Sequence, residues 1–382
     1  MIPAGTLVRE VLRDAGGQRT WDCDREAHLQ ETIGWLARSQ DVTGGGGSAA
    51  AYNLVLGWQD AFPETTGYIV ETMYDYAEWA IEHGDNAAAT EADRRAEEMA
   101  EWLLPLQAED GSFQAYDTLG GDTEPTVFDT GMITFGLVRQ YEETGDERFR
   151  VAAVDAARWL ADVQESDGHW ERYSYNDTPH AYTSRVSWAM LEAAAVAEGE
   201  DAEYIREHAR RHQEWVWSCQ HPNGWFEQAG FTGDQTAPFL HTIAYTIRGL
   251  LEADAHFEDE RLGAVAKKSA DVLLERHQRE GILAGAYDAA WRGADYYCLT
   301  GNAQMAIVWL KLYQQTGETA YQTAAEETID FLTTTQRLDG PDGVRGAIKG
   351  SLPVWGRYMY LRYPNWAAKF FADALLLAER TN

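Results

Sequence analysis

The 382-residue chain contains few basic residues. Its 31 Lys and Arg stand against 62 Asp and Glu, a formal net charge of −31, and only five of the bases are lysines. Nucleic-acid-binding surfaces are basic, so a nucleic-acid partner is not expected. Aromatic residues make up 12% of the chain, which favours a folded protein over a disordered acidic one. An acidic, lysine-poor surface stays soluble where salt screens its charge, which indicates a halophilic, archaeal source.

Cysteine and long apolar runs are also scarce. The three cysteines, Cys23, Cys219 and Cys298, are far apart and form no CxxC pair. This spacing predicts reduced thiols in a reducing compartment rather than a disulfide framework. The chain has no run of about 18 apolar residues, and "MIPAGTLVREVLRDAGG" lacks the apolar core of a signal peptide. We therefore expect a cytoplasmic protein with no membrane span.

A glutamine that ends an amphipathic run recurs about every 60 residues. The six occurrences are Gln40, Gln107, Gln164, Gln220, Gln278 and Gln336. A segment rich in Gly and aromatic residues follows each glutamine, and a second helical run comes after it. A constant period of this length is typical of an array of one supersecondary unit, here a helical hairpin.

The two helical runs of each repeat differ in polarity. The first is amphipathic, as in "EADRRAEEMAEWLLPLQ", whereas the second is apolar nearly all round, as in "GNAQMAIVWLKLY". A helix that is apolar all round is buried, and an amphipathic helix faces water on one side. Six buried helices ringed by six amphipathic ones predict an all-α, single-domain (α/α)6 toroid over residues 24–382, after an N-terminal extension over residues 1–23.

The starts of the six buried helices carry an aligned polar residue. The aligned residues are Thr66, Thr130, Thr183, Thr242, Thr300 and Asn365. We expect them to be N-caps, with Gly67 allowing a close approach between helices. The residues directly before three of these caps are Asp129, Tyr182 and His241, and Glu64 lies just before Thr66. These four side chains are expected in a bowl over the helix N-termini, whose amides favour anionic ligands.

Glu64 and Asp129 form the predicted acid/base pair. Glycoside cleavage needs one carboxyl group to protonate the leaving oxygen and a second to activate water or to attack. Tyr182 and His241 are further catalytic candidates. A structural interpretation stays open for two of them, because Asp129 can supplement its helix dipole and His241 can be a satisfied buried imidazole.

Flat aromatic rings, an amide and two bases near the helix starts are predicted to bind substrate. They are Trp58, Tyr68, Arg185, Trp225, Tyr245, Trp291, Asn302, Lys349, Trp355, Tyr358 and Trp366. Aromatic faces suit the C–H faces of sugar rings, and Arg185 and Lys349 suit an anionic group. The cysteines are too scattered for a zinc site, and neither a metal nor a cofactor is expected.

Two sets of motifs resemble known toroid proteins. The ends "QAEDGSF", "QESDGHW" and "QHPNGWF" resemble the repeat ends of terpenoid cyclases and protein prenyltransferases. The segments "PETTGY", "LHTIAYTIRGLLE", "CLTGNAQMAI" and "YPNWAAKFF" resemble a bacterial and archaeal family labelled as prenyltransferase or squalene-oxidase repeat proteins, over nearly the whole chain. The resemblance implies the six-hairpin toroid superfamily, but it implies no particular reaction.

Terpenoid chemistry requires motifs that the chain lacks. It has no D-x-D-D and no D-D-x-x-D cluster, and no His follows His277 to complete a zinc site with Asp295 and Cys298. The superfamily's other branch contains glucosidases, unsaturated-uronide hydrolases, polysaccharide lyases and epimerases. The predicted bowl, with its aromatic rings and paired carboxylates, is more similar to that branch.

We therefore predict a glycosidase-type enzyme whose partner is a glycan or oligosaccharide containing anionic uronate sugars. A uronate lyase or C5-epimerase that uses Tyr182, His241 and Tyr245 is the alternative. A terpenoid cyclase or prenyltransferase-like enzyme and a non-catalytic glycan-binding toroid also stay open.

Overall fold

The computed structural model describes residues 4–20, 24–114, 124–257 and 260–381. Cys23 and parts of the predicted N-terminal extension lie outside these residues. The described residues form thirteen α-helices: α1 (Ala4–Ala15), α2 (Arg25–Asp41), α3 (Pro63–Glu82), α4 (Asn86–Leu103), α5 (Val127–Thr144), α6 (Glu147–Asp162), α7 (Ser184–Val196), α8 (Glu200–Ser218), α9 (Leu240–Phe257), α10 (Glu260–Glu280), α11 (Leu299–Thr316), α12 (Thr319–Thr335) and α13 (Asn365–Thr381).

The described residues also form five short strands, and the chain divides into two compact units. The strands are β1 (Ala51–Asn53), β2 (Gly57–Trp58), β3 (Tyr297–Cys298), β4 (Ser351–Leu352) and β5 (Arg362–Pro364). Strand β1 pairs antiparallel with both β2 and β5, and β3 pairs with β4. Unit 1 comprises Met1–Ala61, Phe239–Ala244 and Ala270–Asn382, and unit 2 comprises Phe62–Pro238 and Tyr245–Ser269. Each unit is described by itself.

Buried and half-exposed helices alternate along the chain as predicted. In α11 every residue from Leu299 to Leu310 is buried. In α8 the buried residues are confined to one stripe: Ile205, Ala209, His212, Gln213 and Val216. A stripe at intervals of three and four residues is the pattern of a helix that faces water on its other side. The sequence therefore identified both helix types and their order.

Helices α3 and α5 of unit 2 approach each other closely at two glycines. A Cβ atom added to Gly67 would lie 2.5 Å from Ile133 Cα, and one added to Gly136 would lie 2.3 Å from Gly67 O. Only a residue without a side chain fits at these distances. The close approach that was predicted at Gly67 is therefore present, and it sets α3 beside α5.

Gly67→Ala is expected to lower stability by about 1–3 kcal/mol, because the new methyl group must push the α5 backbone away. Thermal unfolding measures the change. Gly5→Ala in α1 is the matched control, since a Cβ there meets nothing within 4 Å. Equal unfolding temperatures for the Gly67 variant and the parent would contradict this interpretation of the helix contact.

The repeated glutamines of unit 2 link each amphipathic helix to the next one. Each Nε2 donates to a backbone oxygen 2.8–3.0 Å away: Gln107 to Ala152, Gln164 to His208 and Gln220 to Val265. The following Gly111, at φ +92°, would carry a Cβ 2.4 Å from Asp155 O. The Q-x-x-D/N-G-x-W/F motif is therefore a structural element of the repeat.

Thr66, Thr130 and Thr300 lie inside the first helical turn, so the prediction that they are N-caps was wrong for α3, α5 and α11. The N-cap of α3 is Phe62, and the Thr66 hydroxyl donates back to Phe62 O at 2.7 Å. The N-caps of α5 and α11 are Thr126 and Cys298. Thr183 is the N-cap of α7, but its side chain makes no capping bond. The Thr66 hydroxyl bonds a carbonyl four residues earlier, whereas that of Thr130 bonds Phe113 O from another segment, and the sequence pattern does not distinguish either from capping.

Candidate active site

Glu64 and Asp129 occupy equivalent places at the start of neighbouring helices. Glu64 is the second residue of α3, after Pro63, and Asp129 is the third residue of α5. The Thr126 hydroxyl donates to Asp129 Oδ2, and the Asp129 amide donates to Thr126 Oγ1 at 3.3 Å. Thr126 therefore caps the Asp129 amide with its side chain and also holds the Asp129 carboxyl group in one orientation. Because α3 packs against α5, the two carboxyl groups lie within electrostatic range of each other.

The two carboxyl groups have different pKa values. Burial raises the pKa of Glu64 well above its usual range, the charge of Asp129 raises it further, and Arg185 lowers it. Burial also raises the pKa of Asp129, to about 6, although hydrogen bonds from Thr126 and from its own amide oppose the rise. Both carboxyl groups therefore resist ionisation, and the repulsion between their charges favours a pair that holds one proton. A protonated acid beside an ionised carboxylate is the arrangement that general acid/base catalysis requires.

Arg185 is a buried positive charge beside this pair. Its side chain is 2% exposed, and its guanidinium carbon lies 5.6 Å from the Tyr68 ring centre and 5.1 Å from that of Tyr245. Its Nε donates to Met132 Sδ at 3.3 Å. A cation enclosed by rings in this way is stabilised by their π faces and offers little surface to a ligand. Arg185 therefore acts on the site by lowering the pKa of Glu64.

Three tyrosines predicted for the site surround the same region of unit 2. Tyr68, Tyr182 and Tyr245 are at most 3% exposed. Burial raises the pKa values of Tyr68 and Tyr182 well above their usual range, and Tyr68 is hydrogen-bonded to Tyr245. The phenols of Tyr68 and Tyr182 therefore stay neutral and can donate a proton in a hydrogen bond. A role for Tyr182 as the base of a lyase is correspondingly disfavoured.

Residues that were not predicted for the site pack around Tyr182. Its ring stacks on His180 with 4.6 Å between the ring centres, and it meets the edges of Phe128 at 5.4 Å and Phe231 at 5.7 Å. Thr126 was also missed, although "TVFD" is a recognisable capping signal. No local signal marks His180 or Phe231, because they lie on separate loops that only the tertiary fold brings together.

His241, Tyr358 and Trp366 come together in unit 1. His241 Nδ1 lies 2.6 Å from Gln304 Nε2, and its ring centre lies 5.3 Å from that of Tyr358. Trp366 Nε1 donates to the Tyr358 hydroxyl at 2.8 Å. His241 is 5% exposed, so the structure agrees with a buried, hydrogen-bonded imidazole as well as with a functional one. Its catalytic role stays a prediction.

Lys349 and Asn302 are engaged inside unit 1, in contrast to their expected contact with substrate. Lys349 is 2% exposed, and its Nζ lies 2.5 Å from Asp14 Oδ1 and 3.4 Å from Glu10 Oε2. Asn302 is fully buried and bonds the backbone of Leu283 and Cys298. With its charge already neutralised, Lys349 cannot serve as an anion clamp without breaking these ion pairs, and we leave both residues out of the proposed site.

The remaining predicted tryptophans differ in exposure. Trp225 and Trp291 are buried, and Trp58 packs its ring 5.1 Å from that of Trp35. Trp355 is 39% exposed, so it alone of these four presents a large aromatic surface. The substrate-binding roles of all four stay predictions.

The pKa of Asp129 makes stability depend on pH. The folded chain binds a proton at Asp129 up to pH about 6, above the usual range of an aspartate, so ionisation of this group costs stability as pH rises from about 4 to 6. Asp129→Asn removes that cost. Between pH 4 and pH 8, we expect the stability of the variant relative to that of the parent to rise by on the order of 2 kcal/mol. This change corresponds to about 2–3 °C in unfolding temperature. Calorimetry at the two pH values checks this difference.

Asp146→Asn is the control for this pH dependence. Hydrogen bonds from Arg148 lower the pKa of Asp146, so its substitution should act in the opposite direction or not at all. An unfolding-temperature difference between Asp129→Asn and the parent that stays constant from pH 4 to pH 8 would show that Asp129 titrates normally.

Among the residues that the structure describes, no cluster of three or more His, Cys, Asp and Glu is arranged to hold a metal ion. Over the same residues, every helix is too short or too polar to cross a bilayer. Cys219 and Cys298, the two cysteines within the described chain, are both free thiols.

Comparison with solved structures shows a shared fold at low sequence identity. Unsaturated glucuronyl hydrolase from Bacillus sp. GL1 is 17% identical, with a TM-score of 0.70 over 93% of this chain and 97% of that one. An unsaturated glucuronyl hydrolase specific for heparin is 15% identical, with a TM-score of 0.73 over 93% and 96%. A variant of the Streptococcus agalactiae enzyme complexed with dGlcA-GalNAc6S is 12% identical, with a TM-score of 0.68 over 93% and 91%.

No curated protein is significantly similar in sequence to the chain. The model of one family, the prenyltransferase alpha-alpha toroid domain, matches residues 21–137 and 79–348, which together span most of the chain. The match and the structural similarities confirm the predicted all-α toroid fold class. The chain belongs to the prenyltransferase alpha-alpha toroid domain family.

Proposed function

We propose that this protein is a glycoside hydrolase that acts on a glycan containing uronate sugars. One observation carries the proposal: Glu64 and Asp129 lie at the starts of adjacent helices, where burial raises the pKa of both and the charge of Asp129 raises that of Glu64 further. Structural packing alone does not call for two mutually repelling carboxyl groups in a buried place. Buried carboxyl groups whose pKa values are raised in this way are typical of catalytic sites.

Each group has a chemical role in this proposal. The Glu64 carboxyl group donates its proton to the leaving glycosidic oxygen, and the Asp129 carboxylate, oriented by Thr126, activates a water molecule or stabilises the developing positive charge of the sugar ring. Arg185 limits the rise in the pKa of Glu64, so that the acid can still release its proton. The neutral phenol of Tyr182 supplies a hydrogen-bond donor to a sugar oxygen, and Tyr68 supports the site through its bond to Tyr245.

The substrate class rests on the structural relatives. Several are named unsaturated glucuronyl hydrolases, and their recorded ligands include dGlcA-GalNAc6S and dGlcA-Glc-Rha-Glc. The family's name points instead to prenyl transfer, but the chain lacks the acid and metal motifs that such chemistry requires. We further propose a cytoplasmic location, because the three cysteines are odd in number and widely spaced.

The test compares three substrates in one assay. The protein is incubated with dGlcA-GalNAc6S, with its saturated counterpart and with an intact uronate polysaccharide, while reducing ends and ultraviolet absorbance are followed. A hydrolase of unsaturated uronides produces reducing ends from the first substrate and lowers its absorbance. An ordinary glycosidase cleaves the saturated sugar without any absorbance change. Rising absorbance with the polysaccharide would identify a lyase, and no product from any substrate would refute the proposal.

A further inference from the structure

A groove in unit 1 is lined by residues of that unit only. It lies between the turn that follows β1, residues 53–56, and the segment 357–362 that leads into β5. Its volume of about 510 Å³ falls in the range of small-molecule sites in proteins.

The walls of the groove are held in place by the backbone. Asn53 Oδ1 accepts the amides of Val55 at 2.8 Å and Leu56 at 3.1 Å, and Leu54 N donates to Leu361 O at 3.0 Å. Met359 and Leu361 adopt φ values of 52° and 54°. Left-handed backbone at a side-chain-bearing residue costs on the order of 1 kcal/mol, and it persists where surrounding contacts impose it, often at ligand sites. The groove is therefore formed before any ligand arrives.

Two arginines in this groove lack the carboxylate partners that most arginines of the chain have. Within the described residues, neither Arg357 nor Arg362 lies within 4.0 Å of an acidic oxygen, although acids outnumber bases two to one. Arg357 is exposed, and the Nε atom of Arg362 is buried without a hydrogen-bond partner. The exposed guanidinium group of Arg357 is accessible to an anionic ligand. The groove therefore has an unsatisfied positive end.

The rest of the groove is apolar and exposed. Leu56 is 75%, Tyr360 59% and Val55 53% accessible to solvent. Tyrosine and aliphatic side chains pack well against the C–H faces of sugar rings, and a guanidinium group binds a carboxylate through two parallel hydrogen bonds. An apolar platform beside unpaired arginines matches a sugar that carries a carboxylate.

We propose that this groove is a binding subsite for a uronate-containing oligosaccharide, with a sugar ring against Tyr360 and its carboxylate on Arg357 and Arg362. The choice of a sugar rests on the proposed function, whereas the anionic group follows from the arginines themselves. An acidic segment of a second copy of this chain is the competing occupant.

Binding of tetragalacturonate to the full-length protein tests the proposal. Titration calorimetry is performed on the Asp129→Asn variant, which should not consume the ligand, at about 1 M NaCl, where the Debye length of about 3 Å suppresses repulsion by the acidic surface. We expect Arg357→Gln to weaken binding at least tenfold and Tyr360→Ala several-fold. Arg292→Gln is the matched control, because Arg292 is highly exposed in unit 1 but already paired with Asp288, and it should bind as the parent does.

Three results would overturn the proposal of a sugar-binding subsite. Unchanged affinity in Arg357→Gln and Arg362→Gln would do so, and so would equal affinity for neutral maltotetraose. Concentration-dependent dimerisation that Arg357→Gln abolishes, seen by sedimentation without sugar binding, would assign the groove to a second copy. The proposed function is tested separately: binding that depends on Arg357 in a protein that cleaves none of the three assay substrates refutes the hydrolase but leaves the subsite.

Discussion

Glu64→Gln is expected to lower turnover by about 10²–10⁴-fold, the usual contribution of a general acid. Glutamine has nearly the same shape as the protonated Glu64 and cannot transfer a proton. Asp129→Asn should lower turnover by a similar factor, because it removes the carboxylate that activates water or stabilises the developing positive charge. Initial rates with dGlcA-GalNAc6S, or with whichever substrate the screen identifies, measure both effects.

The pH profile separates the two roles. With Asp129 titrating at about 6 and Glu64 losing its proton only well above its usual range, the parent should show a bell-shaped rate profile. The residual activity of Asp129→Asn should no longer fall at acidic pH, because that fall in rate reflects protonation of Asp129. The residual activity of Glu64→Gln should no longer fall at alkaline pH, because that fall in rate reflects loss of the Glu64 proton.

Glu124→Gln is the control for both substitutions, because it removes a carboxylate near the start of α5 whose side chain is exposed. Its turnover should match that of the parent. If Glu64→Gln and Asp129→Asn both retain full turnover on a substrate that the parent cleaves, the assignment of the acid/base pair is wrong.

Glu10→Gln is expected to destabilise the protein by about 3 kcal/mol, or about 4 °C in unfolding temperature. Glu10 lies in α1 and is fully buried, 2.7 Å from Arg337 and 3.4 Å from Lys349, and it accepts a hydrogen bond from Tyr363 at 2.8 Å. Removing the negative charge leaves buried positive charges incompletely paired. The loss stays at the lower end of the range for buried ion pairs because Lys349 keeps Asp14 as a partner.

The effect of Glu10 should vanish in acid. Burial alone would raise the pKa of Glu10, but Lys349, Arg337 and Tyr363 outweigh it, and the pKa lies below the usual range. The ionised group therefore stabilises the fold at pH values above its ordinary pKa, and this contribution is lost as pH falls through the lowered one. Denaturant unfolding at pH 7 and below pH 4 measures the change, with the exposed Glu26→Gln as control. A loss below about 1 kcal/mol at pH 7 would contradict the interpretation.

The N-terminal extension illustrates a limit of sequence reasoning. Residues 4–15 form a helix that buries its acidic Glu10 and Asp14 while Val8 and Leu12 are 55% and 64% exposed. Hydrophobic periodicity predicts the opposite orientation, with the apolar residues inside. The bases that reverse it, Arg337 and Lys349, come from more than 300 residues further along the chain, so no local pattern reveals them.

The sequence by itself determined the helices and their order, because the period of polarity along a helix reports which side faces water and the repeat length reports the hairpin unit. It also selected Glu64, Asp129, Arg185, Tyr68, Tyr182 and Tyr245, which the structure brings together in unit 2.

Only the tertiary structure decided which charges are already paired. Lys349 and Arg185 look alike as isolated bases in the sequence, yet Lys349 is paired with Asp14 and Glu10, whereas Arg185 is enclosed by aromatic rings and lowers the pKa of Glu64. The pKa of Glu64 was decided at the same level: that of the carboxyl group of "PETTGY" is raised because it is buried beside Asp129, which follows it by 65 positions. Burial and charge pairing depend on distances between segments remote in sequence, and those distances exist only after folding.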